Sequence, residues 1–254
     1  MNTAMIAGLA IVAGFAAIHV FIGRLRKLDV EPRSGWLSFA GGTAVAYVFL
    51  HVLPELAEHQ QEYQSAVMLG GANVEVWIYA LSMLGLAVYY GVERWAKLTM
   101  AKADSAPSDG ASEAAAHNEL LWVHTGSFAI YNLLIGYLLF QGELEGGWPL
   151  ALYAIAMGLH FLTTDHGMRQ HHPGAYDRVS RWVLAAAVFA GWLLGMAYAL
   201  PPLVIGCLFA FLAGGVVLNV MKEELPEERE SRFGPFLGGA VFYAALLVAE
   251  GVLG

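Results

Sequence analysis

The chain has 254 residues, of which 58% are hydrophobic and 13% are charged, and its mean hydropathy is +0.57. A water-soluble domain has roughly 45–50% apolar and about 25% charged residues, so this composition excludes an ordinary soluble fold. The formal net charge of −8 argues against nucleic-acid binding, which needs clustered Lys and Arg, and favours acidic entrances that attract cations.

The hydropathy pattern predicts an all-α membrane protein with eight transmembrane helices in a single domain, residues 1–254. Each predicted span is an almost uncharged stretch of about 20 residues, the length that crosses a hydrocarbon core of about 30 Å. The predicted spans are residues 3–23, 35–57, 73–92, 118–140, 149–170, 179–199, 202–221 and 235–253. Residues 93–117, which include a stretch rich in Ala, Ser and Asp, are predicted to form a flexible loop.

The basic residues predict the orientation of these spans. All 13 Lys and Arg residues fall in or beside the first, third, fifth and seventh connections between the spans. Because Lys and Arg accumulate on the cytoplasmic side of a membrane, we expect both termini to lie outside. The location is then an inner or plasma membrane, and the loop over residues 93–117 faces the cytoplasm.

A short motif recurs in the second and seventh spans. Phe-x-x-Gly followed by Leu-Pro-Glu occurs over residues 39–55 and again over residues 211–227, at a constant offset of 172. The two spans are expected to run in opposite directions, which predicts an inverted repeat of helices 1–3 and 6–8 around a central pair, helices 4 and 5. Secondary transporters with this design bind substrate near the midplane. Pro54 and Pro226 are expected to bend or end their helices, since proline lacks a backbone N–H donor.

Polar residues at membrane depth are densest in the fourth and fifth spans. Ionisable groups are costly in the membrane, so they usually face the interior of a bundle or a watery cavity. Imidazole together with carboxylate suits borderline divalent ions, and we expect a mid-membrane metal site. Its candidate ligands are His124, His160, Asp165 and His166. The alternative is that these side chains form hydrogen bonds between packed helices. His19, near the inner end of the first span, is expected to reach water.

Two further groups of ligand-type residues flank the predicted pathway. The outer mouth is expected to contain His51, Glu55, Glu58, His59 and Glu62, and the inner mouth Glu223, Glu224 and Glu227. Acidic groups at both ends of a pathway raise the local cation concentration. The alternative is that these carboxylates are simply solvated at wet helix ends.

These features together resemble the ZIP family of divalent metal-ion transporters. The likeness lies in the eight spans, the outside termini, the cytoplasmic loop after the third span, the Leu-Pro-Glu motifs and one histidine in each central span. Family members typically carry His-Asn-x-x-acid-Gly in the fourth span and His-acid-x-x-(His or acid) in the fifth. His124 and His160 match the leading histidines, whereas Phe128 and Phe161 stand where the family has acidic residues. The chain therefore resembles a divergent member.

The resemblance implies a carrier and not an enzyme. Its substrate is expected to be a divalent metal ion moving into the cytoplasm, zinc first and otherwise iron, manganese, cobalt or cadmium, with no organic cofactor. The expected partners are the metal ion and the lipid bilayer, a homodimer is a compatible assembly, and nucleic acid is not expected. One alternative is a ZIP-fold relative without transport activity, which Phe128 and Phe161 favour. Another is an intramembrane hydrolase in which Zn²⁺ activates water.

Overall fold

The computed structural model describes residues 3–24, 35–67, 76–105, 110–141, 147–171, 174–224 and 232–253, and nearly all of them are helical. Within these ranges the α-helices are α1 Thr3–Phe21, α2 Gly35–Tyr47, α3 Leu53–Val67, α4 Trp77–Ser105, α5 Gly110–Gln141, α6 Trp148–His171, α7 Arg181–Ala197, α8 Pro202–Glu224 and α9 Phe233–Leu253. The prediction of an all-α fold is confirmed.

Several of these helices have the length and composition of membrane spans. Among the described residues, five segments are long and apolar enough to cross a bilayer: Met5–Arg24, Gly35–Gln61, Asn118–Gln141, Tyr176–Ala197 and Pro202–Lys222. They identify an integral membrane protein. A shorter apolar helix covers Phe233–Ala249. Helix α6 carries the buried polar residues His160, Thr163, Thr164 and Asp165, which lower its hydropathy.

The segment predicted as a flexible loop, residues 93–117, is helical wherever the structure describes it. Helix α4 continues to Ser105 and helix α5 begins at Gly110, so this prediction is wrong for those residues. The stretch is rich in Ala and contains Glu, Lys and Met, which are strong helix formers. Low hydropathy indicates that such residues meet water, but it does not prevent a helix. Residues 106–109 lie outside the described part of the chain.

A π turn, Val48–Val52, joins α2 to α3 in one continuous rod. The backbone N–H of Leu53 donates to the carbonyl of Val48, a wider turn than in an α-helix. Pro54 lacks an N–H, and its ring would clash with the carbonyl four residues earlier in a regular helix. The wider turn before Pro54 lets the helix continue to Val67 instead of ending. His51 lies inside this turn, and π turns often occur at functional sites.

Glycines bring three helix pairs into backbone contact: α2 with α9, α4 with α8, and α5 with α7. At the first crossing, a Cβ atom on Gly42 would overlap the carbonyl oxygen of Phe236, and one on Gly239 would overlap that of Phe39. The other crossings pair glycine with carbonyl oxygen in the same reciprocal way: Gly85 with Phe211, Gly214 with Ser82, Gly136 with Val188, and Gly191 with Leu133. Small residues allow membrane helices to approach this closely.

Most buried side chains in the described part of the bundle are apolar. Buried polar side chains occur at several places, such as Thr43, Gln60 and Thr125, and six others form one polar band. Val12, Ile135, Val188 and Tyr243 are each 1% exposed or less. Several polar side chains are buried within this core, at 6% exposure or less: His19, Asn132, His160, Thr164, Asp165 and Asn219. Buried polar groups are costly unless they find partners, so this band is where the candidate site lies.

Candidate functional site

A partly open cavity of about 510 Å³, here called the vestibule, lies beside the π turn and is walled by residues of α2 to α3, α5, α6 and α8. Four of the residues predicted for the outer mouth line it: His51, Glu55, Glu58 and His59. His51 Nε2 is 3.5 Å from Glu55 Oε2, and the His51 ring stacks on Tyr47 with 5.2 Å between ring centroids. The side chain of Glu62 lies outside the described part of the chain.

The imidazole and carboxylate groups of the vestibule all come from one wall, although Gln141 of α5 and Tyr153 of α6 also line the cavity. Histidine and glutamate side chains come from the rod formed by α2 and α3, whereas Leu138, Met157, Phe209 and Leu212 face them from α5, α6 and α8. Within the described ranges, no three His, Cys, Asp or Glu side chains converge closely enough to hold a metal ion. As far as the described residues show, the vestibule presents imidazole and carboxylate groups without a set of three converging metal ligands.

A second pocket, here called the deep pocket, has a volume of about 20 Å³ and lies between α4, α5, α6 and α8. A volume of roughly 10–15 Å³ admits one water molecule, so this pocket fits one water molecule or one ion without its hydration shell. Its polar lining consists of Tyr89, Tyr131, Asn132, His160, Thr164, Asp165 and Asn219. Ile135 and Val216 line both the vestibule and the deep pocket, so these two apolar side chains stand between them.

His160 is the most informative residue of the deep pocket. It is 6% exposed, and its Nδ1 atom has no hydrogen-bond partner among the described residues. The Tyr131 hydroxyl, in the lining of the same pocket, is also buried without one. An unsatisfied buried polar group costs about 1–3 kcal/mol, and such groups are rare in native proteins. The deep pocket thus presents a nitrogen and an oxygen whose bonding capacity the described residues do not use.

Asp165 is held by a histidine from another helix. Its Oδ2 atom is 2.6 Å from Nδ1 of His19, and Nε2 of His19 is 2.8 Å from Oδ1 of Asn132. The Asn132 amide nitrogen donates to the carbonyl oxygen of Phe128 at 2.9 Å. The three polar residues are each 3% exposed or less. This chain of hydrogen bonds joins α1, α5 and α6.

A second chain of hydrogen bonds joins α4, α6 and α8 on the other side of the deep pocket. The side-chain nitrogen of Asn219 donates to the Thr164 hydroxyl at 2.8 Å. The Tyr89 hydroxyl donates to the Asn219 side-chain oxygen at 3.4 Å. All four helices around the pocket therefore contribute polar atoms to it.

His124 lies away from the deep pocket, in a charged cluster between α4, α5 and α8. Its Nε2 atom is 3.9 Å from Glu93 Oε1, and Glu93 Oε2 is 2.7 Å from Lys222 Nζ. Phe128, one helical turn further along α5, lines the deep pocket and packs edge-on against Tyr89 with 5.6 Å between ring centroids. The side chains of Glu223 and Glu224, and the whole of Glu227, lie outside the described part of the chain.

The structure divides the four predicted metal ligands. His160 and Asp165 line the deep pocket, whereas His124 and His166 do not. His166 lies six residues after His160, about 240° around the helix, and its Nε2 atom is 3.0 Å from Nε2 of Gln170. Of the four predicted ligands, the structure therefore brings His160 and Asp165 together in the deep pocket, with neutral oxygen atoms around them.

Sequence reasoning missed the role of His19. It was expected to reach water, but the structure places it 1% exposed beside Asp165. The available signal was Asp165 itself, because a carboxylate at membrane depth requires a partner. Phe161 completes this environment, since its ring lies 4.8 Å from that of His19 and 5.0 Å from that of Phe15.

No family model matches the chain, and no curated protein gives a significant match to it. The likeness to the ZIP family therefore depends on the motifs in the sequence.

Proposed function

We propose that the protein is a ZIP-like carrier that moves a divalent metal ion, zinc first, across a membrane into the cytoplasm. The observation that carries this proposal is the sequence of two cavities. A vestibule with imidazole and carboxylate groups on one wall leads past Ile135 and Val216 to a buried pocket. In that pocket the Nδ1 atom of His160 has no partner among the described residues.

The eight-span topology and the inverted repeat are part of this proposal, and the glycine crossings support them. Residues 39–42 of α2 correspond to residues 211–214 of α8 at an offset of 172, and residues 236–239 of α9 correspond to residues 82–85 of α4 at an offset of 154. The glycine and carbonyl partners occupy corresponding positions in both crossings. The crossing of α5 with α7 has a similar glycine pattern, so the support for the repeat comes from the matched positions together with the recurring Phe-x-x-Gly and Leu-Pro-Glu motif. Inverted repeats are common in carriers.

The pathway that we propose begins on the outside. The distribution of Lys and Arg supports an outer location for the vestibule, where Glu55 and Glu58 would attract the ion. The deep pocket then offers one imidazole nitrogen, the Asp165 carboxylate, and oxygen atoms of Thr164 and Asn219. Nitrogen with oxygen ligands suits Zn²⁺, Fe²⁺, Mn²⁺ and Co²⁺ better than Cu⁺, which prefers sulfur. The ion is substrate here, so it must bind weakly enough to leave.

The main rival is a ZIP-fold relative without transport activity. Phe128 and Phe161 at expected acidic positions favour it, as does the lack of three converging His, Cys, Asp or Glu side chains among the described residues. The hydrolase alternative needs three protein ligands and an open coordination position, and the described residues provide no such group. Measured ion flux separates the carrier from the non-transporting relative.

The test is metal uptake by proteoliposomes that contain the purified protein and a trapped metal-sensitive fluorophore. We expect Zn²⁺ added outside to enter with saturable kinetics, and protein-free liposomes to show only leakage. Fe²⁺, Mn²⁺, Co²⁺ and Cd²⁺ are measured in parallel. Flux at the leakage level for all five ions would refute the carrier and leave the non-transporting relative.

The vestibule carboxylates are expected to set the apparent affinity for the ion. We expect Glu55→Gln with Glu58→Gln to raise the metal concentration at half-maximal flux by about threefold or more. The difference should shrink at high ionic strength, because salt screens exposed charges. The control is Glu119→Gln, an exposed glutamate outside the vestibule lining. An unchanged half-maximal concentration at low salt would contradict the role of the vestibule.

A further inference from the structure

We infer that His19 of α1 is a positioning residue for the deep pocket, because it holds the side chains of Asp165 and Asn132 without lining the pocket itself. Asp165 and Asn132 both belong to the pocket lining, and His19 stands behind them. This inference rests on the proposed carrier function, since it assigns His19 to the binding of the transported ion.

His19 is fixed from several sides. Both ring nitrogens are engaged, at 2.6 Å from Asp165 and 2.8 Å from Asn132. The ring packs against Phe161, and the Tyr176 hydroxyl donates to the backbone carbonyl of His19 at 3.2 Å. These contacts hold the His19 ring in one orientation. The ring in turn fixes the orientation of the Asp165 and Asn132 side chains.

The direction of the hydrogen bonds follows from Asn132. Its side-chain nitrogen donates to the carbonyl of Phe128, so its side-chain oxygen faces His19 and accepts from the Nε2–H group. The Nδ1 atom of His19 then faces the carboxylate, and a separation of 2.6 Å requires one hydrogen between them. Short hydrogen bonds that involve an ionisable group are strong and directional. The carboxylate of Asp165 is therefore held in one rotamer at the edge of the pocket.

The location of this hydrogen bond distinguishes positioning from simple packing. Groups that hold a metal ligand from behind fix its orientation, and their loss typically lowers metal affinity about 10- to 100-fold. A hydrogen bond that merely joins two helices would affect stability and leave metal affinity unchanged. The lining of the deep pocket includes one histidine, His160, and one aspartate, Asp165. If Asp165 lost its contact with His19, its carboxylate could turn away and the proposed ion site would lose a ligand.

Three substitutions of His19 separate its two contacts. The amide nitrogen of asparagine reaches the position of Nδ1, so His19→Asn keeps a donor for Asp165. The amide of glutamine reaches the position of Nε2, so His19→Gln keeps the contact with Asn132, and His19→Leu keeps neither. The readout is the affinity of the purified protein in detergent for Co²⁺, followed by its ligand-field absorption, together with flux in proteoliposomes.

We expect His19→Gln and His19→Leu to bind Co²⁺ about 10- to 100-fold more weakly than the wild type, and His19→Asn to stay within about threefold. The control is Thr43→Val, which removes a buried hydroxyl that lies 3.1 Å from the Phe39 carbonyl oxygen and 3.2 Å from that of Gly239, outside the deep pocket. It should lower the melting temperature and leave the affinity for Co²⁺ unchanged. If His19→Leu does not fold, the comparison of His19→Asn with His19→Gln still tests whether the contact of His19 with Asp165 sets the affinity for Co²⁺.

The outcomes distinguish this inference from the carrier proposal. Equal Co²⁺ affinity in the wild type and the His19 variants, or equal losses in His19→Asn and His19→Gln, would overturn the role of His19 even if the wild type transports metal. The expected order of affinities without any flux would support the role of His19 and refute the carrier. A wild-type protein that binds no Co²⁺ would overturn the inference outright.

Discussion

Replacing Gly214 by alanine is expected to destabilise the folded protein strongly. The new methyl group would overlap the carbonyl oxygen of Ser82 on α4, and a backbone atom cannot move aside as a side chain can. Overpacking a well-packed core costs about 1–3 kcal/mol, and we expect the upper end of this range here. The measurement is the melting temperature of the purified protein and its yield as a single species in size-exclusion chromatography.

The same substitution at other glycines provides the controls. A Cβ atom on Gly126 or Gly14 would have nothing within 4 Å, so Gly126→Ala and Gly14→Ala should be neutral or slightly stabilising, since alanine favours helix by about 1 kcal/mol. Gly42→Ala, at the corresponding crossing, should match the loss in Gly214→Ala. If Gly214→Ala behaved like Gly126→Ala, the close contact of α4 with α8 would be refuted.

Replacing His160 by glutamine is expected to reduce metal flux by about 100-fold or more. Loss of a group that only orients a metal ligand typically costs about 10- to 100-fold, and loss of the ligand itself should cost more. His160 supplies the nitrogen of the deep pocket, and glutamine offers an amide of similar length that binds these ions poorly. The measurement is the initial rate of Zn²⁺ uptake in proteoliposomes, with the reconstituted protein quantified for each variant.

The control for His160 is another histidine of the same helix. His166 was a candidate ligand in the sequence, but the structure places it beside Gln170 and outside the deep pocket. His166→Gln is therefore expected to change the rate of uptake by less than about twofold. Equal losses in both variants would favour the cluster that the sequence suggested over the pocket in the structure. Normal flux in His160→Gln would remove the deep pocket from the pathway.

Hydropathy was sufficient to predict an all-helical membrane protein and the approximate place of most helices. It failed for residues 93–105 and 110–117, because a polar stretch rich in alanine can form a helix as readily as a membrane span and differs from it only in its surroundings. His51, Glu55 and His59 follow one another at intervals of four residues, and residues four apart share a side of a helix. The structure adds that this face lines the vestibule.

The contacts between side chains of different helices could not be predicted from the sequence. His19 and Asp165 are 146 residues apart, and no local periodicity indicates which helices meet or how each is rotated. His124 and His160 both looked like ligands because each matched a motif. The structure places His160 in the lining of the deep pocket and His124 beside Glu93. Which side chains meet depends on how the helices pack in three dimensions, and the order of residues along the chain does not specify that packing.

The glycine crossings also limit how this protein can change shape. Helices that touch through main-chain atoms have no rotamers to adjust, so they cannot slide past each other without first separating. We therefore expect α2 to move with α9 as one rigid body, and α4 to move with α8 as another. The interfaces of α6 with α1 and α2 include larger side chains such as Phe15, Tyr47 and Tyr153. A change between outward-facing and inward-facing conformations would therefore occur by movement at the interfaces of α6 with α1 and α2.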